Sequence, residues 1–328
     1  MNYRLPKLYV GPVSKNTVDA VIEYANENDT PLGLIPSRRQ IDYNGGYVNH
    51  WNTPTFTNYV HSKTNLVTLE RDHGGPQQGA SSDDGVESFM MDNECFDMIH
   101  IDPWKLNIPF RDCLKETVYW LCRIDNPHIL FEIGTEEAIR KISHDDFIEL
   151  LSFVYSSIPG KVFNRILYSV IQSGTSLKEN IQTGNFDERR LMKDINRCKD
   201  YNLHSKEHNG DYLPSELIHK KFKLGLDSIN IAPEFGMMET ECYINEIKQV
   251  DPILLDVLYS LCYKSNMWKK WVDSSFDVND KERLIKICGH YIFSSDEFDR
   301  KVRSNLRILD DDIKSKMKER IHDIITYN

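Results

Sequence analysis

The sequence predicts an α/β protein, a (β/α)8 TIM barrel with a helical C-terminal extension. Short apolar segments rich in Val, Ile, Leu and Tyr alternate with amphipathic stretches of helical length. There are eight such segments, and beyond about residue 250 the alternation stops and Lys, Asp and Glu become frequent. Strands separated by helices imply parallel pairing through right-handed crossovers, with both sheet faces covered. The count of eight favours closure into a barrel over a doubly wound open sheet.

Taken in order, KLYVGPV (7–13) ends at Ser14 and leads into a helix over 16–28. PLGLIPS (31–37) runs out in Ser37, Arg38, Arg39 and Gln40 before a helix over 53–62. NLVTLER (65–71) finishes on Asp72 and His73, before 83–94. FDMIHID (96–102) contains His100 and Asp102, which period-two alternation turns to one side, before 110–123. HILFEIG (128–134) leads to Thr135 and Glu136, before 144–156. RILYSVI (165–171) ends in Gln172, Ser173, Gly174 and Thr175, before 187–199. YNLHSKE (201–207) is followed by His208 and Asp211, before 214–224. DSINIAP (227–233) is the eighth strand and ends at Glu234. The barrel is expected to occupy 1–250, and the extension 251–328, with helices over 252–264, 280–294 and 309–325.

Composition narrows the function classes. Hydrophobic residues make up 40% and charged residues 27%, the balance of a soluble globular chain. No run approaches the ~18 apolar residues of a membrane helix, and MNYRLPKLYVGP has no signal-peptide core. Seven scattered cysteines without a CxxC pair point to reduced thiols, so a cytoplasmic location is expected, with no membrane partner. The net charge of −10 argues against nucleic acid, which needs a basic face.

In a barrel of this type the chemistry gathers at the C-terminal ends of the strands. Those ends here carry histidines and carboxylates, the groups that bind divalent cations and move protons. Loop histidines are usually surface residues, and His50, His61, His144 and His219 are read that way. His73 and His208 each abut an apolar strand with an acid nearby, which points to a shared site. His100 lies inside its strand and equally suits a satisfied core histidine.

The strand ends resemble the non-catalytic subunit of tagatose-1,6-bisphosphate aldolase, a relative of class II aldolases. The resemblance is carried in order by SRRQIDYNGGY (37–47), RDHGGP (71–76), MIHIDP (98–103), FEIGTEE (131–137), SVIQSGT (169–175), EHNGDYL (207–213) and SINIAPEF (228–235). It implies a metal-dependent aldolase-like enzyme that makes or breaks a C–C bond, with C4 epimerisation as a variant. The substrate would be a sugar phosphate or sugar acid. The alternative is a non-catalytic partner subunit that stabilises a catalytic class II ketose-bisphosphate aldolase; the expected protein partner is a catalytic aldolase subunit or a second copy of the chain in a homo-oligomer.

The same resemblance implies a divalent metal, zinc or manganese, held by His73, His208 and Glu136. It implies catalytic roles for Asp72, Glu136 and Asp211. Ser37, Arg38, Gln40, Asp102, Gln172, Ser173, Gly174 and Thr175 are the expected substrate contacts. The sixth strand ends in Gln172 where active class II aldolases supply a histidine. A third ligand is therefore expected from Glu136, Asp102 or Gln172.

Overall fold

The computed structural model of the chain describes residues 4–326. Ten strands form, in order β1 (Leu8–Val10), β2 (Leu32–Leu34), β3 (Val67–Gly74), β4 (Met98–Ile101), β5 (Leu130–Ile133), β6 (Ile166–Ile171), β7 (Leu177–Lys178), β8 (Ile181–Gln182), β9 (His204–Glu207) and β10 (Ser228–Ile231). All but β7 and β8 close a parallel barrel in the order β1-β10-β9-β6-β5-β4-β3-β2. Each predicted strand has its counterpart, most of them shorter than expected. The β7–β8 hairpin, lying between β6 and the next helix, was not expected.

The helices are α1 (Lys15–Asn28), α2 (Thr53–His61), α3 (Val86–Cys95), α4 (Phe110–Arg123), α5 (His144–Ser157), α6 (Gly160–Phe163), α7 (Glu188–Asp200) and α8 (Ser215–Lys223). They continue with α9 (Pro233–Val250), α10 (Leu254–Ser265), α11 (Lys281–Cys288), α12 (Asp296–Lys301) and α13 (Asp310–Ile325). Helix α9 follows the last strand and was missed in the sequence. Its apolar stripe is broken by Glu239, which is buried because Ser14 (2.5 Å) and Asn16 (2.9 Å) donate to its carboxylate. The expected helix over 280–294 breaks after Cys288 into a short turn.

Helix α13 packs back on α1, α8 and α9, while α10 and α11 pack on α9. Arg320 of α13 binds Glu234 at 2.6 Å and donates to Ser215 Oγ and the Leu213 carbonyl. The C-terminal helix is thereby tied to the loop after β9 and to the start of α9.

Most apolar side chains lie between the strands and the helical shell. A smaller cluster of Tyr9, Ile35, Met98 and Tyr168 fills the barrel interior. Above it the interior turns charged. Lys206 of β9 reaches across to Glu70 of β3 and to Glu132 of β5 (2.5 Å), with the rings of Tyr9 and Tyr168 at 3.8 and 4.5 Å. Contacts between strands that are not neighbours require these side chains to point inward. This charged layer is the floor of the site.

Candidate metal centre

Strand β3 ends in a distortion. Its pairing with β4 shifts register between Arg71 and Gly74, and His73 takes φ +47°. A non-glycine residue rarely adopts this left-handed conformation, and such strain clusters at functional sites. Arg71 anchors the distortion from below. Its guanidinium binds both oxygens of buried Asp92 at 2.8 Å and donates to the carbonyls of Pro36 and Ile41. The extra residue lets Asp72 and His73 both reach the cavity.

Three imidazoles meet there. The ring centroids of His73, His100 and His208 are 5.4, 5.7 and 5.0 Å apart. Each ring has one nitrogen held by a partner outside the centre. His73 Nδ1 is bound to Asp102 Oδ2 at 2.5 Å, and His100 Nε2 to the Gly134 carbonyl at 3.0 Å. His208 Nε2 is bound to Glu132 Oε1 at 2.6 Å. These bonds make the tied nitrogens N–H donors and fix the tautomers. The other nitrogens face one another around Asp72 Oδ1, at 3.5 Å from His73 Nε2 and 3.7 Å from His100 Nδ1 and His208 Nδ1. His100 Nδ1 also receives a long bond from the His73 backbone N–H, at 3.4 Å.

Asp72 Oδ1 is buried and has no hydrogen-bond donor of its own. Glu136 Oε2 lies 3.7 Å from both His73 Nε2 and His208 Nδ1, with Asn209 donating to it at 2.8 Å. Ligand atoms around a tetrahedral zinc, each 2.0–2.1 Å from the ion, stand about 3.4 Å apart. The separations between imidazole nitrogens and the Asp72 and Glu136 oxygens, 3.5–3.7 Å, match that to within a few tenths of an ångström. Two overlapping groups, Asp72 with His73 and His100, and His73 with Glu136 and His208, bring imidazole and carboxylate ligand atoms close enough for a divalent cation, and their chemistry fits one.

Electrostatics agree with the geometry. Burial alone would raise the Asp72 pKa, but His73, His100 and His208 outweigh it and bring it down to about 2. Burial opposes charge on His73, yet Asp72, Glu136 and Asp102 raise it to about 9. His208 is raised well above its ordinary value, Glu132 overcoming the effect of burial. Glu132 itself is held well below the usual carboxylate range because Lys206 and the histidines overcome its burial. Asp211 behaves differently: burial and the charge of Glu234 raise its pKa to about 8.

The remaining predicted residues divide cleanly. Ser37 and Gln40 line the cavity, as do Asp211 and Glu136. Asp211 also caps α9, accepting from Ala232 N at 2.9 Å and Glu234 N at 2.8 Å. Asp102 orients His73 instead of facing substrate. Arg38 is buried against Asp42 and Asp83 and clamps the loop after β2 to the loop after β3; its neighbour Arg39 is on the cavity wall instead.

Gln172 is turned away from the imidazoles. It accepts from Ile142 N and donates to the carbonyls of Thr135 and Arg140, holding the loop after β5. Ser173 binds Glu207, Thr175 binds the His208 carbonyl, and Gly174 sits against Asn185 where a Cβ would meet its carbonyl at 1.9 Å. Ser173 and Thr175 thus support the end of β9, and none of these four residues lines the cavity. The third imidazole comes from β4, as His100, a position that by sequence suits a core histidine equally well. The available signal was the alternation of inward polar residues, His100 two after Met98 and Glu132 two after Leu130.

No family model and no curated protein matches this chain. Solved structures do resemble it. A probable tagatose 6 phosphate kinase from Sinorhizobium meliloti 1021 superposes with a TM-score of 0.72 at 14% identity, over 97% of this chain and 93% of the other. A fructose-bisphosphate aldolase from Campylobacter jejuni gives 0.58 at 13%, over 97% and 90%. The YdjI aldolase from Escherichia coli K12 gives 0.53 at 12%, over 92% of both chains. At these identities the likeness is one of fold.

Proposed function

We propose that this chain is a divalent-metal-dependent enzyme of the class II aldolase type. It makes or breaks a C–C bond, with epimerisation by cleavage and re-addition as a variant, in a sugar phosphate or sugar acid. One observation carries the reading: three imidazoles, each donating from one nitrogen to a partner outside the centre, turn their other nitrogens toward the single unpartnered oxygen of Asp72. Two of the structural neighbours are aldolases by name, and the third is named for a tagatose phosphate, which supports the substrate class.

His73, His100 and His208 would hold the metal, with Glu136 or Asp72 beside it: Asp72, His73 and His100 form one close group of possible ligands, and His73, Glu136 and His208 another. When bound, it supplies Lewis-acid charge at the substrate's carbonyl and hydroxyl oxygens as the C–C bond breaks. Asp72, ionised at neutral pH, accepts the proton of the hydroxyl on the carbon being released. That hydroxyl becomes a carbonyl, and the C–C electron pair passes to the carbon beside the ketone. Asp211, protonated at neutral pH with a pKa of about 8, is the cavity carboxyl able to donate a proton back. Ser37 and Gln40 face the same space and would bind hydroxyl groups. Zinc suits three imidazoles and a carboxylate, and manganese tolerates the carboxylates.

A stabilising partner subunit is the competing assignment, and it would leave three oriented imidazoles without a task. The test is turnover of ketose bisphosphates and uronates by the zinc- or manganese-loaded protein. Asp72→Asn is expected to cut turnover about 10²–10⁴-fold with the fold unchanged. Full activity in Asp72→Asn would remove the role given to Asp72.

A further inference from the structure

Beyond the imidazoles the same cavity, about 680 Å³, opens between three separate segments of chain. Each contributes a cation to its wall. Arg39 comes from the loop after β2, Lys105 from the turn Pro103–Lys105 after β4, and Lys270 from the turn Met267–Lys270 of the C-terminal region. Among the described residues none of the three forms an ion pair. Arg39 makes one long backbone bond, to the Gly79 carbonyl at 3.4 Å, and Lys270 lies over the rings of Trp271 and Tyr291 at 4.7 and 4.8 Å. In a chain with 50 acidic against 40 basic residues, counter-charges are plentiful elsewhere. Here like charges face like charges. Loss of water around the Lys270 ammonium, and then the charges of Arg39 and Lys105, lower its pKa to about 7.

A second observation points to the same place. Trp104, beside Lys105, is 2% exposed and lines the cavity, and its indole N–H has no acceptor. A buried donor without a partner is costly in a folded protein. The spacing of the group is also fixed by the fold. The loop bearing Arg39 docks on the C-terminal region through Tyr47 on Tyr291, with centroids 4.8 Å apart, and through Asn49 N donating to Ser294 Oγ at 2.7 Å.

We propose that Arg39, Lys105, Lys270 and the Trp104 indole N–H form a subsite for an oxyanion, the phosphate or carboxylate group of the substrate. This rests on the reading above for the other end of the molecule, which meets the imidazoles. An oxyanion offers several acceptor oxygens to converging donors, and bonds between ionised partners are the stronger kind. The C-terminal region thereby takes part in substrate selection through Lys270.

The experiment uses the full chain after chelator treatment, so that it is independent of the metal reading. Inorganic phosphate and, separately, D-gluconate are titrated and followed by calorimetry and by tryptophan fluorescence, since Trp104 and Trp271 both line the cavity. Saturable binding is expected, weakened at least about tenfold in Lys105→Ala/Lys270→Ala. Neither lysine forms an ion pair among the described residues, so the variant is expected to keep its fold; Arg39→Gln serves as an independent second variant with the same expected loss. Tighter phosphate binding assigns a phosphate ester, and tighter gluconate binding assigns a sugar acid. Saturation by neither probe, or binding unchanged in both variants, overturns the subsite while leaving the metal centre standing.

Discussion

At Asp72 one carboxylate oxygen stands 3.5–3.7 Å from three imidazole nitrogens, and the charge of the site follows from that packing. His73 and His208 carry protons in the metal-free protein, because nearby carboxylates raise both pKa values above their ordinary range. A divalent cation taking their place is a near charge-neutral exchange. Zinc added to chelator-treated protein at pH 7 should therefore release about two protons, measured by calorimetry in buffers of different ionisation enthalpy. Binding without proton release would show that the metal displaces no proton from these histidines.

Asp211 gives a stability prediction. Its folded pKa of about 8 lies above that of an unfolded aspartate, so its contribution is complete below ~4 and is lost as pH rises through 8. The slope in that window is on the order of 1 kcal/mol per pH unit. Asp211→Asn can still accept from Ala232 N and Glu234 N, so thermal melts between pH 5 and pH 8.5 should flatten in this variant. An unchanged slope would mean that Asp211 is ionised throughout.

Two of the three imidazoles were legible as residues, because His73 and His208 stand at strand ends beside acids. His100 was not, since a histidine in mid-strand reads equally as core. The bond from its Nε2 to the Gly134 carbonyl, which decides its orientation, exists only once β4 and β5 pair.

The strands do the positioning. Period-two alternation sends Glu70, His100, Glu132, Lys206 and His208 inward from four different strands or their ends, and the shift at the end of β3 adds Asp72 and His73. Loops serve as braces, which is why Gln172 was misjudged from its place at the end of β6. Its amide serves three backbone groups of the loop after β5, a demand that no local sequence pattern announces. Gln172→Ala should cost ~1–3 kcal/mol in denaturant unfolding by leaving those buried groups unpaired, while metal content stays at the native level. Loss of metal without loss of stability would return Gln172 to the ligand set. The eight barrel strands were readable because apolar segments and helix-length segments alternate. Helix α9 was not, because Glu239 is buried by donors from α1 and the turn before it, far away in sequence.

At the scale of the molecule, the barrel brings charges from distant segments to its axis in layers. Lys206 holds Glu70 and Glu132 together below; Glu132 orients His208; His208 joins His73 and His100 above. The C-terminal helices close around this axis, with α13 against α1 and the Lys270 turn on the cavity wall. The fold is shared with aldolases at 12–13% identity, so the proposed chemistry depends on this constellation in this chain. Metal content by plasma mass spectrometry, on the native chain, His100→Ala and Gln172→Ala after loading with zinc or manganese, tests it most directly. The account predicts about one equivalent in the native chain and in Gln172→Ala, with metal lost from His100→Ala. No metal in the native chain, or full retention in His100→Ala, would contradict it.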